Sequence, residues 1–337
     1  MAKPRRLKAS FAIFFAVIVG MFPLMMPLEV RAATPPASTT GGQALEIAPP
    51  LVELSANPGQ TITTQILLRD VSSTELVVTG QANDFVAQGE NGTPKILLNN
   101  NASNDPYSMK DWVNFPGNLL LVPKEIKTMK VTISVPANAS PGGHYGVIRF
   151  TGTPPSLSGT GVSLSASVGT LVLLTVNGKI TENMSVKEFS VNHNGKTGSF
   201  FESGPLDFVV RLNNQSNVHE EPSGLITVSD TFGKKIATMR VNNPPRNILP
   251  GSVRKFDAKL DKTVIGNRML FGRYKATLSM TYGSDKKPLN ATMTFWVIPW
   301  KIILIIIACI IVGFFALRFA IRRYNQRIIS KSRHHRR

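Results

Sequence analysis

The 337-residue sequence has a single cysteine, Cys309, which falls inside an apolar run near the C-terminus. The rest of the chain therefore has no thiol for a disulfide or a thiolate zinc site. Histidine is almost as scarce. Of the five present, His144, His193 and His219 precede the apolar run, and none pairs with another at i+2 to i+4 as a zinc-binding helix would need. His219-Glu220-Glu221 comes nearest to a metal cluster and reads as a solvated loop. Gly-x-Ser-x-Gly is missing. Ser252 and Lys255 have the spacing of a nucleophile and its base, but alternation along a strand puts them on opposite faces. Acids are scattered singly, without the paired carboxylates of sugar hydrolysis, and no glycine-rich phosphate loop opens a helix. These absences describe a chain with no catalytic residues, no metal and no cofactor.

Charge is also unevenly missing. Residues 318–337 hold eight Lys/Arg and no acid, and residues 1–31 hold five Lys/Arg against Glu29 alone. The remainder has 25 basic and 19 acidic residues, so the overall +18 shrinks to about +6 between the two ends. With no dense basic cluster there, nucleic acid is not an expected partner. The mild excess suits an anionic surface such as a wall polymer.

What is present at the two ends is a pair of hydrophobic segments. Residues 302–317 are unbroken apolar residues, flanked by Trp296, Trp300 and Lys301. With these flanks the run reaches the ~20 residues needed to cross a bilayer. The basic tail, 318–337, is then cytoplasmic by the positive-inside rule, and the chain before Trp296 lies outside. A 20-residue tail holds no domain, which disfavours a signalling receptor. At the other end, basic residues 1–8, apolar residues 11–26 and Val30-Arg31-Ala32 follow the plan of a secretory signal cut after Ala32. The expected product is a single-pass type I membrane protein with a transmembrane helix at 296–317. Without disulfides, its exterior must rely on hydrophobic cores.

Between these ends, residues 33–43 (ATPPASTTGGQ) read as a flexible linker. The sequence then turns to period two. Residues 60–70, 76–80, 126–135, 145–151 and 161–176 alternate, and each is bounded by Pro, Gly, Asn or Asp. A second series follows at 180–191, 206–212, 224–229, 235–241, 253–260, 274–282 and 289–297. Short strands at this spacing predict an all-β fold of two tandem immunoglobulin-like β-sandwich domains. The boundary falls near the turn pair Asn177-Gly178, giving domains at 44–178 and 179–295. The halves repeat each other loosely. Residues 66–72 match 210–216 at an offset of 144, and Val122-Pro123 matches Leu249-Pro250 at 127, so the first half carries an insertion, placed at 83–118. Gly143-x-Tyr145 and Gly272-x-Tyr274 are taken as equivalent, with structural tyrosines.

The insertion gathers Phe85, Tyr107, Trp112 and Phe115. Exposed rings stack on sugar faces, whereas an inward ring plugs a sandwich edge. Trp112 is expected in the core, which leaves Tyr107 and Phe115 as the candidate ligand contacts.

Residues 44–176 resemble the first extracellular domain of the WxL-interacting proteins of Gram-positive bacteria. The matching pieces are Pro58-Gly59-Gln60, Arg69-Asp70-Val71-Ser72, Ser108-Met109-Lys110-Asp111-Trp112-Val113, Leu121-Val122-Pro123-Lys124-Glu125, Pro136-Ala137-Asn138 and Ser140-Pro141-Gly142-Gly143. The resemblance implies a peptidoglycan-binding first domain and a second domain that binds a host or surface protein. The resulting expectation is a non-enzymatic, membrane-anchored cell-surface protein that holds peptidoglycan and a protein partner. The alternative is a chaperone-like assembly factor that accepts a strand from a surface protein at an open sheet edge.

Overall fold

The computed structural model describes residues 45–98, 105–155, 165–266 and 268–334, and these fall in one compact unit. The signal region and the linker at 33–43 lie outside the described residues. The described chain is mostly β-strand, followed by one long apolar helix. In the first half the strands are β1 (Leu45–Ala48), β2 (Leu51–Ala56), β3 (Thr61–Asp70), β4 (Leu76–Gln88), β5 (Thr93–Leu97), β6 (Val113–Asn114), β7 (Leu119–Leu121), β8 (Ile126–Ser134), β9 (Gly142–Thr153) and β10 (Ala166–Val176). The second half follows with β11 (Met184–His193), β12 (Lys196–Thr197), β13 (Phe200–Phe201), β14 (Leu206–Asn214), β15 (Ser223–Asp230), β16 (Lys235–Val241) and β17 (Val253–Leu260). A single-turn helix α1 (Lys262–Ile265), then β18 (Gly272–Tyr282), β19 (Lys287–Val297) and helix α2 (Trp300–His334) complete it.

The strands form two pairs of sheets whose central strands share an order, β3-β8 matching β14-β17 and β10-β9-β4-β5 matching β19-β18-β15-β16. The first pair is β1-β3-β8-β6 against β2-β10-β9-β4-β5, and the second is β12-β11-β14-β17 against β13-β19-β18-β15-β16. In β3, Thr64, Ile66, Leu68 and Asp70 are buried while the residues between them are exposed, the signature of a strand wet on one face. Ile66 and Leu68 join Val131, Ile133, Phe150, Val172 and Leu174 in one core. Phe208, Val210, Leu278 and Phe295 centre the other.

The sequence repeat extends to single hydrogen bonds. Asp70 Oδ1 accepts from Ser72 N at 2.7 Å, and Asn214 Oδ1 accepts from Ser216 N at 2.8 Å. Lys124 N donates to Asp70 O, and Gly251 N donates to Asn214 O. Lys124 and Gly251 occupy the same left-handed turn position, at φ 68° and 67°.

Three expectations need correction. Trp296 belongs to β19 rather than to the helix, which starts at Trp300 and continues helical to His334 through most of the basic tail. Tyr145 and Tyr274 are not equivalent. Gly142 and Gly272 each open a strand opposite the last residue of the next one (Val176 and Val297). Tyr145 is three residues along and Tyr274 two, so they face opposite sides of their sheets. The insertion also holds regular structure, because β4 continues into a hairpin with β5 that pairs Asp84 with Leu97 and Gln88 with Thr93.

Candidate functional site

The outward-facing side chains of β9 and β10 carry the joint between the halves. Phe85, Tyr145, Val147 and Leu173 form a third buried cluster, with Tyr107 and Leu249 packed against it. Tyr145 lies across Gly143, where a Cβ would come within 1.9 Å of its hydroxyl oxygen. The joint is then tied by polar contacts. Gly143 N donates to Asn217 O at 2.8 Å, and the Asn217 side chain donates to Pro141 O and Lys179 O. At the tip of the β4–β5 hairpin, Glu90 pairs with Arg211 of β14 at 2.6 Å, and Arg211 also pairs with Glu188. The neighbouring Gly92 leaves room for the Arg254 guanidinium. A cavity of about 260 Å³ remains beside the joint, lined in part by Glu53, Phe85, Leu173, Arg246 and Arg254.

Burial sets the protonation of the joint. It pushes the Tyr145 phenol upward, and it pushes His219 below its ordinary 6.5. The Tyr145 hydroxyl and His219 Nδ1 form a hydrogen-bonding pair at 3.4 Å. A histidine depressed in the fold contributes stability that is complete above 6.5 and is lost as pH falls from there through its lower folded value. Glu53 opposes that depression. Glu220, buried beside Ser216 and raised above 4.5 by desolvation, works with opposite sign at lower pH. Acidification from pH 7.5 to about 5.5 should lower the Tm of the parent more than that of His219→Gln. Equal slopes in thermal melts across that range would remove His219 from the joint's energetics.

Of the rings singled out in the sequence, Phe85 is buried and Tyr107, Trp112 and Phe115 are half-buried. Tyr107 packs 6.1 Å from Tyr145 at the joint, and its carbonyl accepts from Tyr145 N. Phe115 lies over Gly80, edge-on to Phe150 at 6.2 Å. The structure therefore does not bring them together as one sugar platform. Trp112 is half-buried against the first core, 4.5 Å from the His144 ring. Ser252 Oγ donates to Leu249 O, and Lys255 pairs with Asp257. Among the described residues no group of three His, Cys, Asp or Glu could hold a metal.

The remaining feature is a sheet edge. In the first half β2 runs parallel to β10 and pairs with all of residues 171–176. In the second half the equivalent cover is β13, which reaches only Trp296 and Val297 of β19. The cause is local. Asn194 and Gly195 both take positive φ, 50° and 78°, and make the two-residue turn that folds β11 back onto β12. Residues that would extend the cover are used in that hairpin.

Residues 287–295 of β19 thus have no strand on their outer side among the described residues. Trp296 N donates outward to Ser199 O. By the two-residue alternation of an antiparallel pair, Asn290, Thr292 and Thr294 also direct their N–H and C=O groups outward. Ala291 and Met293 on the inner face are only half-buried, as are Val186 and Phe189 of β11 beside the same core. Natural edges are blunted by charge or proline. Lysine, arginine or proline occurs along β5, β8, β16 and β17, whereas residues 290–294 of β19 carry neither charge nor proline.

No family model matches the chain, and no curated protein matches it. Solved structures similar to it include the YadV chaperone, at 12% identity over 74% of this chain and 99% of that one, with a TM-score of 0.35. The E. coli chaperone DraB matches at 12% identity over 76% and 98%, TM-score 0.32. The Pseudomonas aeruginosa CupB2 chaperone matches at 9% over 73% and 96%, TM-score 0.31. At TM-scores this low the likeness identifies neither a fold nor a partner, and the function has to come from this chain's own edges and faces.

Proposed function

We propose that this chain is a non-enzymatic, membrane-anchored surface protein with two immunoglobulin-like halves, and that it receives a β-strand from a protein partner on the free edge of β19. The observation that carries the reading is the uncovered, uncharged stretch of residues 290–294. An added strand would satisfy the outward main-chain groups of Asn290, Thr292 and Thr294. It would also finish burying Ala291 and Met293. Main-chain pairing supplies affinity in this mode, and side-chain pockets supply specificity.

The anchor is residues Trp300–Arg323, 24 residues whose most apolar 18-residue window has a mean hydropathy of 2.9 and no burial against the sheets. At 1.5 Å per residue this is about 36 Å, enough to cross the hydrocarbon core. The basic residues that follow favour a cytoplasmic C-terminus and exterior sheets. Binding of peptidoglycan by the first half, through Tyr107 and Phe115, is supported by the family resemblance alone.

Thr292→Pro tests strand addition. The residue is exposed, and its N–H points away from β18, so proline removes an outward donor without breaking the existing ladder. Stability should change by less than about 0.5 kcal/mol, while protein captured by the full-length chain from its own envelope should be lost. A variant that retains the captured protein would contradict pairing at this edge.

A further inference from the structure

The end of the second half nearest α2 collects exposed apolar side chains. Phe232 is 95% exposed at the tip of the β15–β16 hairpin, and Met269, Phe200 and Phe271 are 76%, 72% and 66% exposed. Register places them at one level. Gly272 pairs with Val297, Phe200 pairs with Trp296, and Asp230 pairs with Tyr274. Phe200 stacks on Trp296 at 6.2 Å and 7°, and Thr231 Oγ1 donates to Arg273 O. Only Ile298 and Pro299 separate the last residue of β19 from the first of α2. At most ~3.6 Å per residue, these rings lie within about a turn of chain from the membrane span.

Charge at this end is mixed. Each acid is engaged internally. Asp230 accepts from Phe232 N and Lys234 N, Asp261 caps α1 through Thr263, and Glu202 pairs with Lys301 at 2.8 Å. Lys262 and Arg268, together with Glu202 and Asp261, line a cavity of about 630 Å³ that opens between Leu270, Pro299 and Ile302 at the foot of α2. A soluble exterior with this many free rings would invite association. Beside a bilayer, the same mixture of aromatic rings and unpaired cations matches the headgroup layer.

We infer that the loops at 230–234 and 268–271, with Phe200, form a docking surface for the outer leaflet of the membrane crossed by α2. Phe232, Met269 and Phe271 enter the headgroup layer, and Lys262 and Arg268 meet lipid phosphate. The second half is thereby held against the bilayer instead of pivoting on its two-residue link. The inference rests on the reading of α2 as a span.

The test uses the full-length protein in vesicles of phosphatidylethanolamine and phosphatidylglycerol. In one sample Cys309 carries a fluorophore. In another, Cys309→Ser combined with Phe232→Cys carries it. Spin-labelled lipids quench at the headgroup or at the chain centre. Dye at Cys309 should be quenched from the chain centre, which reports the span itself. Dye at position 232 should lose most of its emission to the headgroup quencher, and Ser284→Cys at the opposite end of β18 should not. Lys262→Glu with Arg268→Glu should reduce quenching at 232 severalfold. Quenching at Cys309 with none at 232 would overturn the docking surface. Absence of quenching at Cys309 would overturn the span beneath it.

Discussion

Phe295→Ala should lower the stability of the second half by about 3–5 kcal/mol, the range for truncating a large buried ring. Phe295 is fully buried and is met by three other rings. Tyr274 stacks on it at 5.6 Å, and Phe208 and Phe201 meet it at 5.7 and 6.4 Å. Tyr274 in turn holds the loop at Phe271, accepting from its N–H and donating to its carbonyl. Removing the central ring therefore leaves a cavity at the end of the sandwich and frees the loop above it. Chemical denaturation should show a lower midpoint with an unchanged slope, and Phe295→Leu should fall between. A loss below about 1 kcal/mol, the typical cost of an ordinary substitution, would mean the site collapses around the missing ring.

A second large effect is expected at Gly224. It lies in β15, between β16 and β18. A Cβ there would stand 2.2 Å from Ser279 O and 2.5 Å from Met280 Cα. Both are backbone atoms of β18, which is held on its other side by β19, so neither can yield without breaking a ladder. Gly224→Val should exceed the ~1–3 kcal/mol usual for overpacking and should prevent the second half from folding. The comparison is Gly233→Ala, at φ 81° with open space around the added methyl, where only the backbone term of about 1 kcal/mol applies. Similar melting curves for the two variants would contradict the close approach of β15 and β18.

These two sites show what the sequence makes legible. The strand around Phe295 stands out by alternation and by its place before the apolar run. Period two likewise locates β3, β8 and β17, because each has one wet face. It fails where strands are short or dry on both faces. β5 and β6 are hidden inside the apparent insertion, and the three-residue β7 directly follows it. β9, buried along most of its length, gives no alternation to fix its register, which is why the two tyrosines seemed equivalent. The Glu90–Arg211 pair spans 121 residues and has no local signal. The open edge of β19 did have one. Asn194-Gly195 is a strong hairpin dipeptide, and it uses up the residues that would otherwise cover β19. Of the other two Asn-Gly pairs, 91–92 turns β4 into β5 and 177–178 opens the link between the halves.

The foot of the second half presents a similar contrast. Trp296 and Trp300 mark an interface in the sequence, but Phe200, Phe232 and Phe271 lie far apart along the chain and meet only through strand register.

Strand addition is tested most directly by a photoreactive side chain placed in turn at Asn290, Thr292 and Ser279 of the full-length protein in its own cell envelope. Asn290 and Thr292 lie on the free edge, and Ser279 lies on β18 between β15 and β19. The account predicts a discrete adduct with one protein from positions 290 and 292, lost when Thr294→Pro is added, and none from position 279. No adduct at either edge position, in a chain that still sediments with purified peptidoglycan, would contradict it.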